Sequence, residues 1–147
     1  TGRLQASREF SLSGHYTWLR TEILSLDGSV NLAPEYFHVG QRLLRRPEHS
    51  GAAVASWSRG RVSSNLTAFV RGTVLDVEPN FGASAGLFEN PGFVNLGFNL
   101  NIRLASGVTA YGHLRNALNR RYEEVYGYPA PPLNFVAGLK FPLPRGR

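Results

Sequence analysis

Side-chain polarity along this chain alternates with a period of two, and that alone restricts it to strands. The clearest run is 93–104, where Val94, Leu96, Phe98, Leu100, Ile102 and Leu104 fall on one face. Asn95, Gly97, Asn99, Asn101 and Arg103 fall on the other. Over 10–18, Phe10, Leu12, Gly14, Tyr16 and Trp18 alternate with Ser11, Ser13, His15 and Thr17. Over 63–75, Leu66, Ala68, Val70 and Val74 oppose Ser63, Asn65, Thr67, Arg71 and Thr73, with Phe69 and Gly72 out of pattern. Shorter alternating runs occupy 108–115 and 135–141, and 2–7 reads as the end of another strand. Residues 51–59 read as a strand whose two faces the sequence leaves undecided. Successive side chains of a strand point to opposite faces, so an all-β fold of seven antiparallel strands without a helix is predicted.

The connections add a polarity. The breaks near 7–9, 59–61 and 105–107 are short, whereas 21–49, 76–92 and 116–133 are long, in strict alternation. Every tight turn then lies at one end of the sheet and every long loop at the other, the layout of an outer-membrane barrel. A soluble antiparallel sandwich also alternates. Two properties favour the membrane. The best apolar faces run nine to eleven residues, the length of a tilted membrane strand. The opposite faces carry Asn, Ser, Thr and Arg with little Glu or Lys, as a wet lumen would. Aromatic residues near strand ends (Phe10, Tyr16, Trp18, Trp57, Phe93) suit an interfacial girdle.

Composition closes other routes. No apolar run approaches the length of a membrane helix. There is no cysteine, which excludes a disulfide framework and a thiolate metal site. The net charge of +6 comes from sixteen basic residues, all arginine except Lys140. They are dispersed, with Arg42, Arg45 and Arg46 the tightest cluster, so nucleic-acid binding is not expected. The chain holds no methionine, even at position 1, and nothing at its start reads as a signal peptide. Thr1 is therefore expected to be internal to a longer precursor. Bacterial single-chain barrels have even strand counts, and open edges are costly in lipid, so seven strands are expected to belong to a larger barrel.

Residues 114–141 read LRNALNRRYEEVYGYPAPPLNFVAGLKF. This segment resembles the C-terminal signature of TonB-dependent outer-membrane receptors, particularly their cobalamin-receptor-like branch. Asn116, Leu118, Asn119 and Tyr122 match an Asn-Leu-(Asp/Asn)-x-x-Tyr motif. Tyr122, Glu123, Glu124, Tyr126, Gly127, Tyr128 and Pro129 follow a "YEEVYGYPAPGR"-like loop. Leu43–His49 (LLRRPEH) and His15–Thr17 (HYT) give supporting similarity. Where the family has Gly-Arg after the proline, this chain has Pro132-Leu133, and proline cannot take the positive φ that glycine allows. The family ends on an aromatic residue, whereas Phe141 here is followed by Pro142, Leu143 and Pro144-Arg145-Gly146-Arg147.

The resemblance implies that 1–147 is the C-terminal part of an outer-membrane barrel domain, about seven strands of a 22-stranded barrel, in the bacterial outer membrane. The plug domain and the earlier strands would lie outside this chain. It implies energised uptake of a small metal chelate, a siderophore or cobalamin. The expected partners are outer-membrane lipid, the TonB complex through the plug, and the outer-membrane insertion machinery. The alternatives are a passive or structural barrel and a soluble ligand-binding β-barrel. Candidate ligand-facing loop residues are Tyr36, Phe37, His38, Asn80, Phe81, Tyr122, Tyr126 and Tyr128. No nucleophile–base pair, phosphate-binding loop or metal spacing is found, so neither an enzyme nor a cofactor is expected. His15 and His113 are expected to line the lumen. The Glu123-Glu124 pair is expected to bridge to Arg120 or Arg121, while Asp76 and Glu78 are weak candidates for holding a cation.

Overall fold

The computed structural model describes residues 1–26, 37–77 and 86–142. Among the described residues eleven strands form: β1 (Gly2–Gln5), β2 (Phe10–Trp18), β3 (His49–Arg59), β4 (Val62–Arg71), β5 (Val74–Val77), β6 (Leu87–Asn90), β7 (Phe93–Arg103), β8 (Thr109–Arg115), β9 (Glu123–Val125), β10 (Tyr128–Pro129) and β11 (Asn134–Lys140). Seven of them make one antiparallel sheet in the order β1-β2-β3-β4-β7-β8-β11. β5 with β6, and β9 with β10, form separate hairpins. The β9–β10 hairpin lies in a segment predicted as plain loop, whereas β5 begins inside the predicted strand 63–75 and β6 lies in the loop predicted after it. The predicted tight turn at 105–107 is a three-residue 3-10 turn.

The four longest strands have nine, eleven, ten and eleven residues. At roughly 3.3 Å per residue, a tilt near 45° would give each a height of about 20–25 Å, that of the apolar band of an outer-membrane barrel. Directly paired residues share a face, so the register decides whether the apolar rows of neighbouring strands coincide. They do. Leu4 opposes Leu12, and Phe10 opposes Trp57. Ala53 opposes Ala68, and Leu66 opposes Phe98. Phe98 opposes Leu114, which opposes Phe135 in turn. The undecided strand is settled by its neighbours: Gly51, Ala53, Ala55 and Trp57 join the apolar face, while Ala52, Val54, Ser56 and Ser58 join the polar one. On the polar face Ser11 meets Ser56, Asn65 meets Asn99, and His113 bonds Asn99 through Nδ1 at 2.6 Å. His15 lies on this face too, paired with Ala52.

The predicted strand at 63–75 is broken. β4 ends at Arg71, and Val74 leaves the apolar row to become a buried residue of the β5–β6 hairpin. Gly72 N–H donates to the His49 carbonyl at 2.8 Å, ending the pairing with β3. Gly92 passes so close that a Cβ there would lie 2.5 Å from the Arg71 carbonyl oxygen. The chain therefore leaves the sheet and returns through two adjacent glycines. The first strand also stops early, at Gln5, because Ser7 Oγ accepts the N–H groups of Glu9 and Phe10 and closes the turn.

The packed core is not between sheets. Among the described residues the buried apolar side chains are Val74, Val77 and Phe93, and the buried polar ones Gln41, Asp76, Asn90 and Asn116. All seven sit at the long-loop end. The sheet itself is bare on its apolar side: Leu4 is 60%, Leu12 41%, Leu66 49% and Phe135 67% exposed. An exposed apolar face of this extent marks a surface that meets a partner or a membrane. β1 and β11 are the sheet's two edges and do not pair with each other.

Candidate functional site: a loop cluster over the polar face

The three long connections converge on one carboxylate. Asp76 is fully buried, and its Oδ1 accepts from Arg45 Nε at 2.8 Å and from the Val77 N–H at 2.9 Å. Its Oδ2 accepts from the Tyr126 N–H at 3.0 Å and from Asn90 Nδ2 at 3.4 Å. Arg45 belongs to the first long loop, Asp76 and Asn90 to the second, Tyr126 to the third. Arg45 also donates its N–H to the Leu75 carbonyl at 2.8 Å, and Arg42 pairs with Glu89 at 3.0 Å. Burial alone would raise the Asp76 carboxyl. Arg45, the two N–H groups and the Asn90 amide outweigh it and hold the pKa below the ordinary value of 3.8. The carboxylate is thus saturated by protein donors, which removes the expectation that it holds a cation; Glu78 lies outside the described residues.

The third loop is shaped by its asparagines. Asn116 and Asn119 take positive φ, 49° and 48°, a region that asparagine tolerates better than most residues. Asn116 is buried; its Nδ2 donates to the Arg120 carbonyl at 2.9 Å and the Pro131 carbonyl at 3.1 Å, and its Oδ1 accepts the Arg120 N–H at 3.1 Å. Asn119 Oδ1 accepts the Leu133 N–H at 3.1 Å. These bonds hold the Pro131–Leu133 corner. Glu123 Oε2 accepts the Gly127 N–H at 2.8 Å, closing the β9–β10 turn, where Gly127 has φ 78°. Asn116→Ala is expected to destabilise this loop by about 2–3 kcal/mol, from the lost bonds and the αL strain together. Asn116→Gly, which relieves only the strain, should cost less; susceptibility of the 116–133 segment to limited proteolysis checks the order.

The loop folds inward over the polar face. Tyr122 stacks on Phe93 with ring centroids 4.0 Å apart, and Phe93 contacts Phe69 at 5.8 Å. Phe69, the residue out of pattern in its strand, is therefore the base of an aromatic column on the polar side. Asn95 Nδ2 donates to the Tyr122 hydroxyl at 2.6 Å. Arg71, on the same face, lies 4.7 Å over the Phe93 ring. It donates to the carbonyls of Glu124 at 2.7 Å and Pro91 at 3.0 Å, and to Asn90 Oδ1 at 3.2 Å. Beside this column is a cleft of about 360 Å³, bordered by Phe88, Phe93, Arg120, Arg121, Tyr122 and Tyr126. The expected Glu123-Glu124 bridges to Arg120 or Arg121 do not form. Glu123 is used by Gly127 and Glu89 by Arg42, which leaves the two arginines of the cleft in no ion pair among the described residues.

The candidate residues separate accordingly. Tyr122 and Tyr126 come together at the cleft, Tyr126 packing on Phe88 at 4.3 Å. Tyr128 is 67% exposed on β10 beside Pro129, and Leu118 is also exposed. Phe37 is half-buried and His38 exposed in the first loop, where the His38 N–H donates to Gln41 Oε1 at 3.0 Å. Tyr36, Asn80 and Phe81 lie outside the described residues, as does the tail from 143. Arg45, Arg71, Phe88 and Asn90 are participants the sequence reading missed as site residues; each draws its role from partners far along the chain, so no local pattern marks it.

No family model matches the sequence, and no curated protein does either. Solved structures do. The ferric-catecholate import receptor Fiu of E. coli K12, in its closed form, is similar with a TM-score of 0.69 at 16% identity, over 91% of this chain and 19% of that one. The ferric citrate transporter FecA, unliganded, is similar with a TM-score of 0.64 at 16% identity, over 89% of this chain and 21% of that one. The chain thus spans about one fifth of the length of the receptors it matches. At this identity the likeness establishes a fold, an all-β antiparallel sheet like the barrel wall of such receptors. Both concern ferric chelates, and the cobalamin-receptor-like branch suggested by residues 114–141 finds no counterpart among them.

Proposed function

We propose that this chain forms the C-terminal part of the barrel wall of a TonB-dependent receptor in the bacterial outer membrane, importing a metal chelate. The observation that carries the reading is the two-faced sheet. One face is continuously apolar across seven strands, the other polar and overhung by the third long loop, whose Tyr122 stacks on Phe93. Such a wall meets lipid outside and lines an aqueous lumen inside. The parent protein would draw on TonB through a plug domain outside this chain, and its last strand would engage the outer-membrane insertion machinery. The cleft gives the wall a share in the ligand: two arginines in no ion pair and four aromatic rings suit an anionic chelate with apolar parts, as a ferric siderophore has. Cobalamin is the second reading, favoured by the likeness of Tyr122–Pro131 to the cobalamin-receptor-like loop.

Uptake of a radiolabelled chelate by cells carrying the full-length protein tests this. Uptake is expected to stop when TonB is removed or the proton gradient collapsed. Arg120→Ala with Arg121→Ala should weaken ligand binding about 10-fold to 100-fold, the worth of one or two charge-assisted bonds. Uptake indifferent to the proton gradient, with steady ion conductance in bilayers, would instead identify a passive barrel.

A further inference from the structure

We propose that the polar face of this wall docks an acidic surface of the parent protein's plug domain, whose carboxylates meet Arg3, Arg103, Arg115 and Lys140. None of the chain's ten acidic residues falls within the seven strands of the sheet. The polar face nevertheless carries Arg3, Arg71, Arg103, Arg115 and Lys140, placed there by the register. Arg71 is occupied by the carbonyls of the loops that cover it. The other four are exposed and in no ion pair among the described residues.

Two of the four are held in place. Arg103 Nη2 donates to the Gly60 carbonyl of the β3–β4 turn at 2.8 Å. Lys140 Nζ stands 4.9 Å over the Tyr111 ring, and that ring lies across Gly138, where a Cβ would come within 2.6 Å of the hydroxyl. Arg103 and Lys140 flank Thr109 in one cross-strand row at the short-turn end. The spacing decides what kind of occupant fits. Neighbouring strands lie about 4.8 Å apart, which puts the backbones of Arg103 and Lys140 roughly 10 Å from each other and β1, which bears Arg3, roughly 19 Å from β7. A small anion reaches one or two such cations at once, whereas a folded protein surface reaches all four. A wall of one charge sign is complemented by the opposite sign on the surface it meets, and enclosure by low-dielectric walls strengthens the field between them.

The inference rests on the import reading, which puts a plug domain against this face, and adds the sign of the charge the plug presents. Lys140 is the one lysine of these residues, so it can be interrogated singly. The full-length protein, purified in mild detergent, is treated with a water-soluble carbodiimide, which joins an amine to a carboxylate in direct contact. Mass spectrometry of the digest is expected to find Lys140 joined to an Asp or Glu of the plug. Arg103→Glu with Lys140→Glu should loosen the plug and raise the frequency of channel openings in planar bilayers about 10-fold or more. Arg103→Lys, which keeps the charge, should keep most of the closure. Heat-modifiable gel mobility confirms that each variant is folded. Coupling of Lys140 only to carboxylates within 1–147, no coupling at all, or a double variant as silent as the wild type would overturn the proposal and leave import standing. A wild-type protein that conducts steadily would overturn the import reading, and the docking with it.

Discussion

Phe98→Arg is expected to prevent assembly of the protein into the outer membrane, while Asn101→Arg leaves it intact. Phe98 sits near the middle of β7, flanked on the same face by Leu66 and Leu114. If that face meets lipid, a guanidinium there stands near the bilayer midplane, where it costs roughly 2–4 kcal/mol before the lost phenyl contact is counted. Asn101 is three residues along the same strand but on the polar face, opposite Ser63 and Tyr111. An arginine there extends into the lumen at little cost. The amount of heat-modifiable protein in the outer-membrane fraction reads both variants. If both assemble normally, neither face meets lipid and a soluble fold is favoured. If only Asn101→Arg fails, the sides are reversed.

Asp76→Ala is expected to release the loop cluster without unfolding the wall. The substitution strips Arg45 of its partner and leaves the N–H groups of Val77 and Tyr126 without their acceptor in a buried site. Arg45 is half exposed and can rehydrate, so the cost falls mainly on the two N–H groups left without an acceptor, on the order of 2–4 kcal/mol together, enough to open a surface loop unit. Hydrogen exchange should show the Val77 and Tyr126 amides deprotected at least 100-fold, with strand amides of β3 and β7 unchanged. Asp76→Asn preserves the shape and should give a smaller effect. Because the folded carboxyl titrates below 3.8, its contribution is fully present above that value and is lost as pH falls further. The cluster should therefore stay docked at pH 5 and open only in stronger acid. A wild-type opening near neutral pH, or an unaltered acid profile in Asp76→Asn, would show that another group holds the loops.

Legibility in the sequence followed the range of the forces involved. The run 93–104 displayed its two faces plainly, because alternation is a local property. Strand 49–59 did not: alanine, glycine and serine on both sides carry too little contrast, and only pairing with Leu12 and Leu66 assigned Ala55 to the apolar face. Phe69 looked like an error in its strand until Phe93 and Tyr122 supplied the rest of its column. The 114–141 block was recognisable by resemblance, yet the work of Asn116 and Asn119, holding a proline-rich corner by side-chain bonds, needed coordinates.

The sequence by itself determined an all-β fold, the places of the seven sheet strands, and the segregation of long loops to one end, since side-chain alternation and turn chemistry act over a few residues. Tertiary structure alone decided that 63–75 breaks at paired glycines, that the apolar rows coincide across seven strands, and that Asp76 joins three loops. The reason is separation along the chain: Arg45, Asp76 and Tyr126 are brought together only when the register places the strand ends beneath them.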